Sequence, residues 1–489
     1  MEAPLVERSS ANLHLIGDDG DYLPATGLKA WWRIFCIESV KLWGIGGPIA
    51  FQIVCESAIE SIATMFVGHI GDTELAAFSI ALSVITTFSF GVMLGMASAL
   101  ETLCGQAFGA GKIEMLGTYM QRSMIILFAS CVLLLPLYFF ATPILKLLGQ
   151  QDEIANLVGP YSLITIPQLF SLAVSFPTQK FLQAQSKVSV LVWITFLAMI
   201  SQIFLCWLFI YIFRWGTTGA AVAFDITSWG VAIAQYIYVV CWCTDGWKGY
   251  SWSAFSEIWA FVRLSVASAI MQCLEIWYMT SIVILTGHLS NSVTAVGSLS
   301  ICMNVNNWEL MVFIGINAAI SVRVSNELGS GHSRAAKYSV YVTVVQSLLI
   351  GILCMIIVFA TRNHLAIIFT DSKAMQRAVT HLSGLLAITM LLNSVQPVIS
   401  GVAIGGGWQA LVAYINLACY YIFGLPLGYA LGYVANMGVM GLWGGMVAGM
   451  ALQTLLLLLM LYRTNWNDEV EKTTERISIW GGQDIVNGI

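Results

Sequence analysis

The sequence predicts an all-α polytopic membrane protein: twelve transmembrane helices in two six-helix lobes, related by a pseudo-two-fold axis along the membrane normal. Apolar stretches of bilayer-spanning length follow one another through the chain. The hydrophobic fraction is 58% and the charged fraction only 10%, against about 25% charged residues in a typical soluble domain. Only helices and closed barrels satisfy the backbone in lipid, and these stretches lack the alternation of a barrel strand.

Twelve apolar stretches lie between Ser39 and Arg463. Their predicted bounds are 40–67, 75–100, 121–147, 157–180, 188–212, 217–243, 257–286, 293–320, 337–361, 377–400, 409–432 and 438–462. We interpret residues 1–38 and 464–489 as polar tails, residues 39–245 as the N-lobe and residues 246–463 as the C-lobe. With a cytoplasmic N-terminus, 16 of the 21 lysines and arginines fall on the cytoplasmic side and 5 on the other. The positive-inside rule therefore predicts that both termini are cytoplasmic.

Glycine and proline positions recur between the two halves at a spacing of about 220 residues. The matching positions are Gly68-His69 with Gly287-His288, Gly109 with Gly329, Pro177 with Pro397, Gly216 with Gly438, and Gly219 with Gly441. Each half holds six spans and so returns to the side on which it began. Two such copies have the same orientation and are related by an axis along the membrane normal, an arrangement common in transporters.

Several function classes are disfavoured by composition. The net charge of −5 is small and diffuse, so nucleic acid is not an expected partner. Most of the eleven cysteines lie inside apolar stretches, and no motif for a metal or a cofactor is present. We expect a monomer in the lipid bilayer whose partners are protons and a small organic molecule.

Carboxylates inside predicted spans are the main candidate functional groups, because ionisable residues at membrane depth are costly. They are Glu56, Glu60, Glu101, Asp225, Glu275 and Glu309. No lysine or arginine lies near the middle of a span to pair with them. Since burial favours the neutral form of a carboxyl group, such a group can take up and release a proton near neutral pH. A role in proton coupling is predicted for five of these carboxylates. Glu101 is the exception: it lies at the end of span 2, and we expect it to hold neighbouring helices together.

Each candidate also has a structural explanation. Glu275 in span 7 has Gln272 and Tyr278 as helical neighbours, which suits a site beside a cavity, but a protonated Glu275 could simply bond two helices. Glu309 could likewise be a hydrogen-bond hub. Glu56 and Glu60 are one helical turn apart, so two ionised carboxylates would repel each other and one proton should be shared, unless the pair lines a wet vestibule. Asp225 follows the glycine-rich start of span 6.

Several motifs resemble those of the plant multidrug and toxic compound extrusion (MATE) family. They are Phe66-Val67-Gly68-His69-Ile70-Gly71, the segment from Ser98 to Ala110, the segment from Pro177 to Gln185, and Arg323-Val324-Ser325-Asn326-Glu327-Leu328-Gly329. The resemblance covers residues 30–480. It implies two six-helix lobes, a V-shaped central cavity and proton-driven antiport of organic solutes.

The resemblance also implies roles for single residues. Glu275 matches the acidic residue of the seventh helix that takes the proton. Asn393 stands where plant members usually have an aspartate on the tenth helix, and Glu309 is a possible substitute. Glu56 and Glu60 replace uncharged polar residues. The expected cavity residues are Gln272, Tyr278, Asn304, Asn306, Trp308, Asn393, Gln396, Asn416 and Tyr420.

These observations predict a proton-coupled antiporter rather than an enzyme. The segment around Asn393 and Trp308-Glu309 most resembles the branch of vacuolar flavonoid carriers. We therefore expect export of a xenobiotic or secondary metabolite, such as a flavonoid glycoside or a related phenolic, across the vacuolar membrane; the plasma membrane is the alternative. An anion transporter or channel of the vacuolar membrane is the alternative function, since Asn304, Asn306 and Asn393 suit an amide-lined pathway.

Overall fold

The computed structural model describes residues 16–17, 20–147, 152–256, 258–287, 289, 292–370 and 372–480. His288 of the predicted repeat and parts of both predicted tails therefore lie outside the described residues. Within them, eleven helices are long and apolar enough to cross a membrane, and one bent pair of helices makes a twelfth span. The predicted fold class is confirmed.

The twelve spans are numbered in chain order, and a further helix, α13 (Trp466–Trp480), follows the last span. The spans are α1 (Leu28–Gly68), α2 (Thr73–Gly109), α3 (Met115–Phe139), α4 (Asp152–Ile164 and Ile166–Ala184), α5 (Val188–Ile212), α6 (Gly216–Trp242), α7 (Ile258–Thr286), α8 (Thr294–Gly329), α9 (Ser333–Thr361), α10 (Lys373–Gly406), α11 (Gln409–Val434) and α12 (Gly438–Arg463).

Two details differ from the sequence-based expectation. The helix of span 1 begins at Leu28, about three turns before the predicted apolar stretch. Residues 466–480 form a helix that packs against α2, α8 and α9. The pattern of polar and apolar residues there had indicated only a polar tail, because hydropathy does not report packing at a membrane surface. The bend of 46° between the two halves of α4, in contrast, is what a proline in this span predicts, since Pro167 occupies the first turn of the second half.

Backbone geometry repeats between the halves. Arg214 and Asn436 both have φ 57°, and Gly216 and Gly438, two residues later in each half, have φ 57° and 58°. These left-handed positions, which an L side chain rarely adopts, precede the sixth helix of each lobe. The glycine pattern of the sequence therefore marks equivalent turns in the structure.

The contacts between the lobes follow the same symmetry. A Cβ atom at Gly95 of α2 would overlap the backbone of Ala269 on α7, and one at Gly315 of α8 would overlap the backbone of Ala50 on α1. Ala50 and Ala269 are 219 positions apart, and Gly95 and Gly315 are 220 apart. The lobes thus meet along two equivalent pairs, α1 with α8 and α2 with α7, where glycine permits close backbone approach.

The lobes are closed at the end where α1 begins and α12 ends, here called the closed end. Gln106 Nε2 of α2 donates to Gly405 O of α10 at 3.0 Å, and Asn326 Nδ2 of α8 donates to Ala184 O of α4 at 3.2 Å. Gln106 and Asn326 are 220 positions apart, so these bonds are equivalent across the pseudo-two-fold axis. Arg476 of α13 adds a bond to Gln106 Oε1 at 3.1 Å.

Beyond the lobe contacts at Ala50 and Gly315, on the side away from the closed end, α1 and α8 carry exposed side chains. Glu56 and Glu60 follow Ala50 on α1, and Trp308 precedes Gly315 on α8; all three are exposed. Glu56 is nevertheless enclosed by protein atoms, which is the situation of a side chain lining a cleft. We conclude that the space between the lobes opens toward the end opposite the closed end.

Candidate functional site

The C-lobe carboxylate Glu275 has a neutral hydrogen-bond partner. Gln396 Nε2 of α10 donates to Glu275 Oε1 at 2.9 Å, and the same nitrogen lies 3.3 Å from Ser400 Oγ. Glu275 itself is half-buried, and no ion pair involves it among the described residues. Because an amide can bond to either form of a carboxyl group, this site can hold Glu275 with or without a proton.

Helix α11 fixes the turn of α7 that carries Glu275. Tyr421 OH donates to Leu274 O at 3.0 Å, and Asn416 Nδ2 donates to Met271 O at 3.4 Å. Gln453 Nε2 of α12 in turn donates to Asn416 Oδ1 at 3.0 Å. Residues Leu417–Gly424 of α11 form π-helical turns, which are frequent at functional sites. The backbone around Glu275 is therefore positioned by side chains of two neighbouring helices.

Tyr278 and Tyr420 form a stacked pair beside this network. Their ring centroids are 4.3 Å apart with an interplanar angle of 7°. Tyr278 OH donates to Met446 O at 2.9 Å, whereas the buried Tyr420 hydroxyl has no hydrogen-bond partner among the described residues. Both side chains have no exposed surface. This pair belongs to the interior of the C-lobe.

Six of the nine expected cavity residues are buried in the described structure, and their contribution to a substrate cavity stays a prediction. They are Tyr278, Asn306, Asn393, Gln396, Asn416 and Tyr420. Apart from the Tyr420 hydroxyl, their amides and hydroxyls bond between helices, a role that a linear pattern does not distinguish from cavity lining. Gln272 is half-buried, and Asn304 and Trp308 are exposed. Trp308 also stacks on Phe369 with centroids 5.7 Å apart.

Asn393 and Glu309 belong to one region of the C-lobe. Asn393 Nδ2 donates to Asn306 Oδ1 at 2.9 Å, and Asn306 is one turn before Glu309 on α8. Glu309 is 7% exposed, and neither of its carboxylate oxygens has a hydrogen-bond partner in the described part of the chain. The Cys354 thiol of α9 lies beside it. Glu309 is thus a buried carboxyl group adjacent to the position where the resemblance places an aspartate.

The two N-lobe glutamates of α1 have different neighbours. Gln52 Nε2 donates to Glu56 Oε1 at 2.8 Å, and the Lys180 ammonium of α4 acts electrostatically on Glu56. Glu60 instead acts on Tyr161 of α4. Neither glutamate is a hydrogen-bond or electrostatic partner of the other in the described structure. The proton shared by Glu56 and Glu60 that their spacing suggests stays a prediction.

Asp225 caps the break in α4. Its Oδ1 accepts a hydrogen bond from Gln168 N at 3.1 Å, in the first turn of the half-helix that begins at Ile166. Trp229, one turn further along α6, donates through Nε1 to Pro167 O at 2.9 Å. A carboxylate at a helix N-terminus is stabilised by the free N–H groups there. The contacts of Asp225 therefore give it a structural role, which is to cap the second half of α4 at the bend.

Glu101 forms a buried ion pair that the sequence analysis missed. Lys180 Nζ lies 2.6 Å from Glu101 Oε2, and their side chains are 10% and 2% exposed. The pair locks α2 to α4, which is the role expected of Glu101. Lys180 lies near the end of span 4, whereas the sequence analysis considered only basic residues near the middle of a span.

An ion-pair cluster joins α1 to α8 at the closed end. Arg323 Nη2 lies 3.0 Å from Glu38 Oε2, and Arg323 Nη1 lies 2.7 Å from Glu327 Oε1. Tyr22 OH donates to Glu38 Oε1 at 2.7 Å. Burial and the neighbouring Glu38 carboxylate raise the pKa of Tyr22, so its hydroxyl stays protonated as a donor. The cluster contributes to closure of this end.

A surface recess of about 630 Å³ is separate from these carboxylates. It lies between α3, α4, α6 and the segment that follows α6, and its walls include Phe128, Trp229 and Trp252. None of the candidate proton-coupling residues lines it. The candidate proton-coupling residues therefore lie away from this recess.

Two pseudo-symmetric six-helix lobes, closed at one end and holding carboxylates inside the spans, define the class of secondary transporters. A family model described as MatE matches residues 48–208 and 267–430. The chain belongs to this family of transporters and is not an enzyme.

Curated relatives and solved structures agree with this assignment. Protein DETOXIFICATION 35 of Arabidopsis thaliana is 66% identical over 96% of both chains, and Protein DETOXIFICATION 34 of the same plant is 60% identical over 98% of this chain and 88% of its own. The crystal structure of the eukaryotic MATE transporter AtDTX14 has a TM-score of 0.86 and 34% identity, covering 91% of this chain and all of that one. A MATE structure in the bent conformation has a TM-score of 0.80 at 14% identity, covering 92% of this chain and 99% of its own; at that identity it shows the fold alone.

Proposed function

We propose that this transporter is a proton-coupled antiporter that moves a secondary metabolite, such as a flavonoid glycoside or a related phenolic, out of the cytosol. The observation that carries the proposal is the surroundings of Glu275. Its contact is the neutral amide of Gln396, and it is half-buried on α7, the helix that meets α2 of the other lobe. A carboxyl group without a counter-ion changes its charge when it takes up a proton, and that change is what couples protons to a conformational cycle.

The proposed cycle uses the vacuolar proton gradient. Protonation of Glu275 from the acidic lumen discharges the cargo, and deprotonation toward the cytosol resets the site. A gradient of about 1.5 pH units supplies about 2 kcal/mol per proton, which sustains roughly thirtyfold accumulation. The proposal includes a vacuolar location, a monomer, cytoplasmic termini, and lobes that comprise residues 39–245 and 246–463. Glu309 is proposed as a further proton carrier, since its carboxyl group is buried and its neighbour is the uncharged thiol of Cys354.

The test is uptake into vesicles that contain the purified protein and have an acidic interior. A panel of phenolic glycosides, free phenolics and organic cations is offered outside, and accumulation is compared with and without the pH gradient. Accumulation of a phenolic that collapses with a protonophore supports the proposal. Equal uptake with and without the gradient would contradict proton coupling.

An anion transporter is the second candidate, favoured by the amide pair of Asn393 and Asn306 where the resemblance implies an acidic side chain. Amide N–H groups can bind an anion, whereas carboxylates repel one. Electrical recording separates the two functions. An anion pathway gives a current that reverses at the anion equilibrium potential at every pH, whereas proton antiport shifts its reversal with the pH gradient.

A further inference from the structure

The surface recess between α3, α4 and α6 lies on the outer side of the N-lobe. Val174 of α4 lines it. Two residues further along α4, the Phe176 ring packs against Phe90 of α2, with centroids 5.5 Å apart. Side chains two positions apart in a helix point about 200° apart, and α2 is the helix that meets α7 of the other lobe. The recess therefore opens away from the space between the lobes, toward the bilayer.

The recess is elongated along α3 and α6. Its walls run from Gln121 to Phe128 on α3 and from Tyr236 back to Trp229 on α6. Each wall rises by seven residues, which is about 10 Å along a helix axis. The volume of about 630 Å³ lies within the range of about 300–1,000 Å³ that is typical of sites for small organic molecules. This space suits a long, narrow molecule rather than a compact ion.

The end of the recess nearer the closed end is polar but uncharged. Tyr236 OH and Tyr250 OH lie 2.5 Å apart, and Gln121 and Ser251 line the same end. One O–H group serves the mutual bond of the two tyrosines, so the pair retains a second O–H group and lone pairs for a ligand. The lining residues that the structure describes include no acidic or basic side chain. This end therefore suits a single hydroxyl group and offers no counter-charge to a phosphate.

Aromatic rings form much of the remaining wall. Phe128 of α3 and Trp229 of α6 lie at the deeper end, and Trp252 belongs to the segment after α6. Phe128 packs against Phe170 of α4 with centroids 6.1 Å apart, and Trp229 Nε1 donates to Pro167 O at 2.9 Å. Rings that are fixed in this way present flat apolar faces, which match a rigid fused-ring molecule.

Hydrogen bonds hold the segment after α6 against α3, so the recess is preformed. Gln121 Nε2 donates to Gly249 O at 2.8 Å, and Gln121 Oε1 accepts from Ser251 N at 3.0 Å. Arg122 Nη2 donates to Ser253 O at 3.0 Å, which directs the guanidinium to this segment. A site whose walls are fixed before binding loses less free energy in ordering them.

The polar end of the recess has the composition of a membrane–water interface. Tyr250, Trp252 and Trp259 are all largely exposed, and tyrosine and tryptophan are enriched where membrane proteins cross from hydrocarbon to headgroups. Phe128 and Trp229, in contrast, lie inside spans α3 and α6. A molecule in the recess therefore has its polar group at headgroup level and its apolar body in the hydrocarbon, which is the orientation of a sterol in a bilayer.

We propose that this recess binds a membrane sterol, with the sterol hydroxyl at the pair of Tyr236 and Tyr250 and the ring system between α3 and α6. An acyl chain of a phospholipid could fill the apolar part, but its phosphate would find no cationic partner among the lining residues. The bound sterol bridges α3, α6 and the segment after α6, and so stabilises the N-lobe. This site is separate from Glu275 and does not depend on the proposed transport cycle.

The test uses a cholesterol analogue that carries a photoreactive diazirine on its ring system. The full-length protein is reconstituted into phosphatidylcholine vesicles with this probe, irradiated, and analysed by peptide mass spectrometry. Labelling is expected in residues 121–128, 229–236 and 250–255. Excess cholesterol should compete with the probe. Cholestane, which has the same rings but lacks the hydroxyl, should compete about fivefold less well, because it cannot form the hydrogen bond at the polar end.

Two variants and a matched control complete the test. Val174→Trp fills the recess and should abolish its labelling, whereas Val345→Trp makes the same change at an exposed position of α9 and should leave the labelling as in wild type. The double variant Tyr236→Phe with Tyr250→Phe keeps both rings and removes both hydroxyls, so it should weaken probe binding about fivefold. Thermal unfolding in sterol-free vesicles establishes that each variant is folded.

Three results would overturn the inference. The first is labelling spread evenly over the exposed faces of the spans, and the second is wild-type labelling of the recess in a folded Val174→Trp variant. The third is equal competition by cholesterol and cholestane together with unchanged labelling in the double tyrosine variant, which would mean that the recess holds apolar lipid chains without recognising a hydroxyl. If Val174→Trp does not fold, the double tyrosine variant and the two competitors still decide between these outcomes.

Discussion

The substitution Glu275→Gln tests the proposed proton site with little change in structure. Gln396 Nε2 donates to Glu275 Oε1 at 2.9 Å, and the carbonyl oxygen of a glutamine at position 275 can accept the same bond. A hydrogen bond to a charged acceptor is worth about 1.5–3 kcal/mol and a neutral one about 0.5–1.5 kcal/mol. The loss of folding stability is therefore about 1 kcal/mol if Glu275 is ionised, and smaller if it is protonated.

The expected effect on accumulation is much larger than the effect on stability. A glutamine cannot bind and release a proton, so the free energy of the gradient, about 2 kcal/mol per proton at 1.5 pH units, no longer drives cargo movement. Accumulation of cargo should fall from roughly thirtyfold to the equilibrium value of about one. Exchange of labelled for unlabelled cargo across the same membrane should continue.

The assay measures cargo uptake into acid-loaded vesicles and thermal unfolding of the same preparation. Glu114→Gln is the matched control, because Glu114 is exposed between α2 and α3 and has no place in the proposed site. A folded Glu275→Gln variant that accumulates cargo as wild type does would refute the assignment of Glu275. Equal losses in Glu275→Gln and Glu114→Gln would show that the assay reports charge in general.

The other predictions concern the closed end, the tenth helix and the topology. Arg476→Ala removes the bonds that one guanidinium nitrogen donates to Gln106 Oε1 of α2 and to Gly406 O of α10. Their joint loss is worth at least about 1 kcal/mol for a half-buried group, so thiol labelling of the buried Cys104 should accelerate at least about fivefold; an unchanged rate would show that α13 does not help to close this end. Asn393→Asp should move the pH midpoint of transport, and an unchanged profile would exclude this position from proton coupling. Cysteines at Lys29 and Glu475, both exposed, should react with impermeant reagents only from the cytosolic side, and labelling of either from the lumen would contradict the predicted topology.

Local patterns were sufficient to predict the fold class and the internal repeat. A span is recognised from about 20 consecutive residues because each segment must itself satisfy the bilayer. The recurrence of Gly216 at Gly438 predicted equivalent turns, since a left-handed backbone favours glycine at these places in both halves. The polar composition of residues 466–480, in contrast, gave no indication that this helix packs at the closed end.

The neighbours of the buried polar groups were decided by the tertiary structure. Glu275 accepts a hydrogen bond from Gln396 of α10, which is 121 positions away in the chain. Glu101 finds its counter-ion 79 residues away. Hydropathy is a property of each segment and can therefore be calculated from the sequence alone. An ion pair between helices, in contrast, depends on how those helices cross.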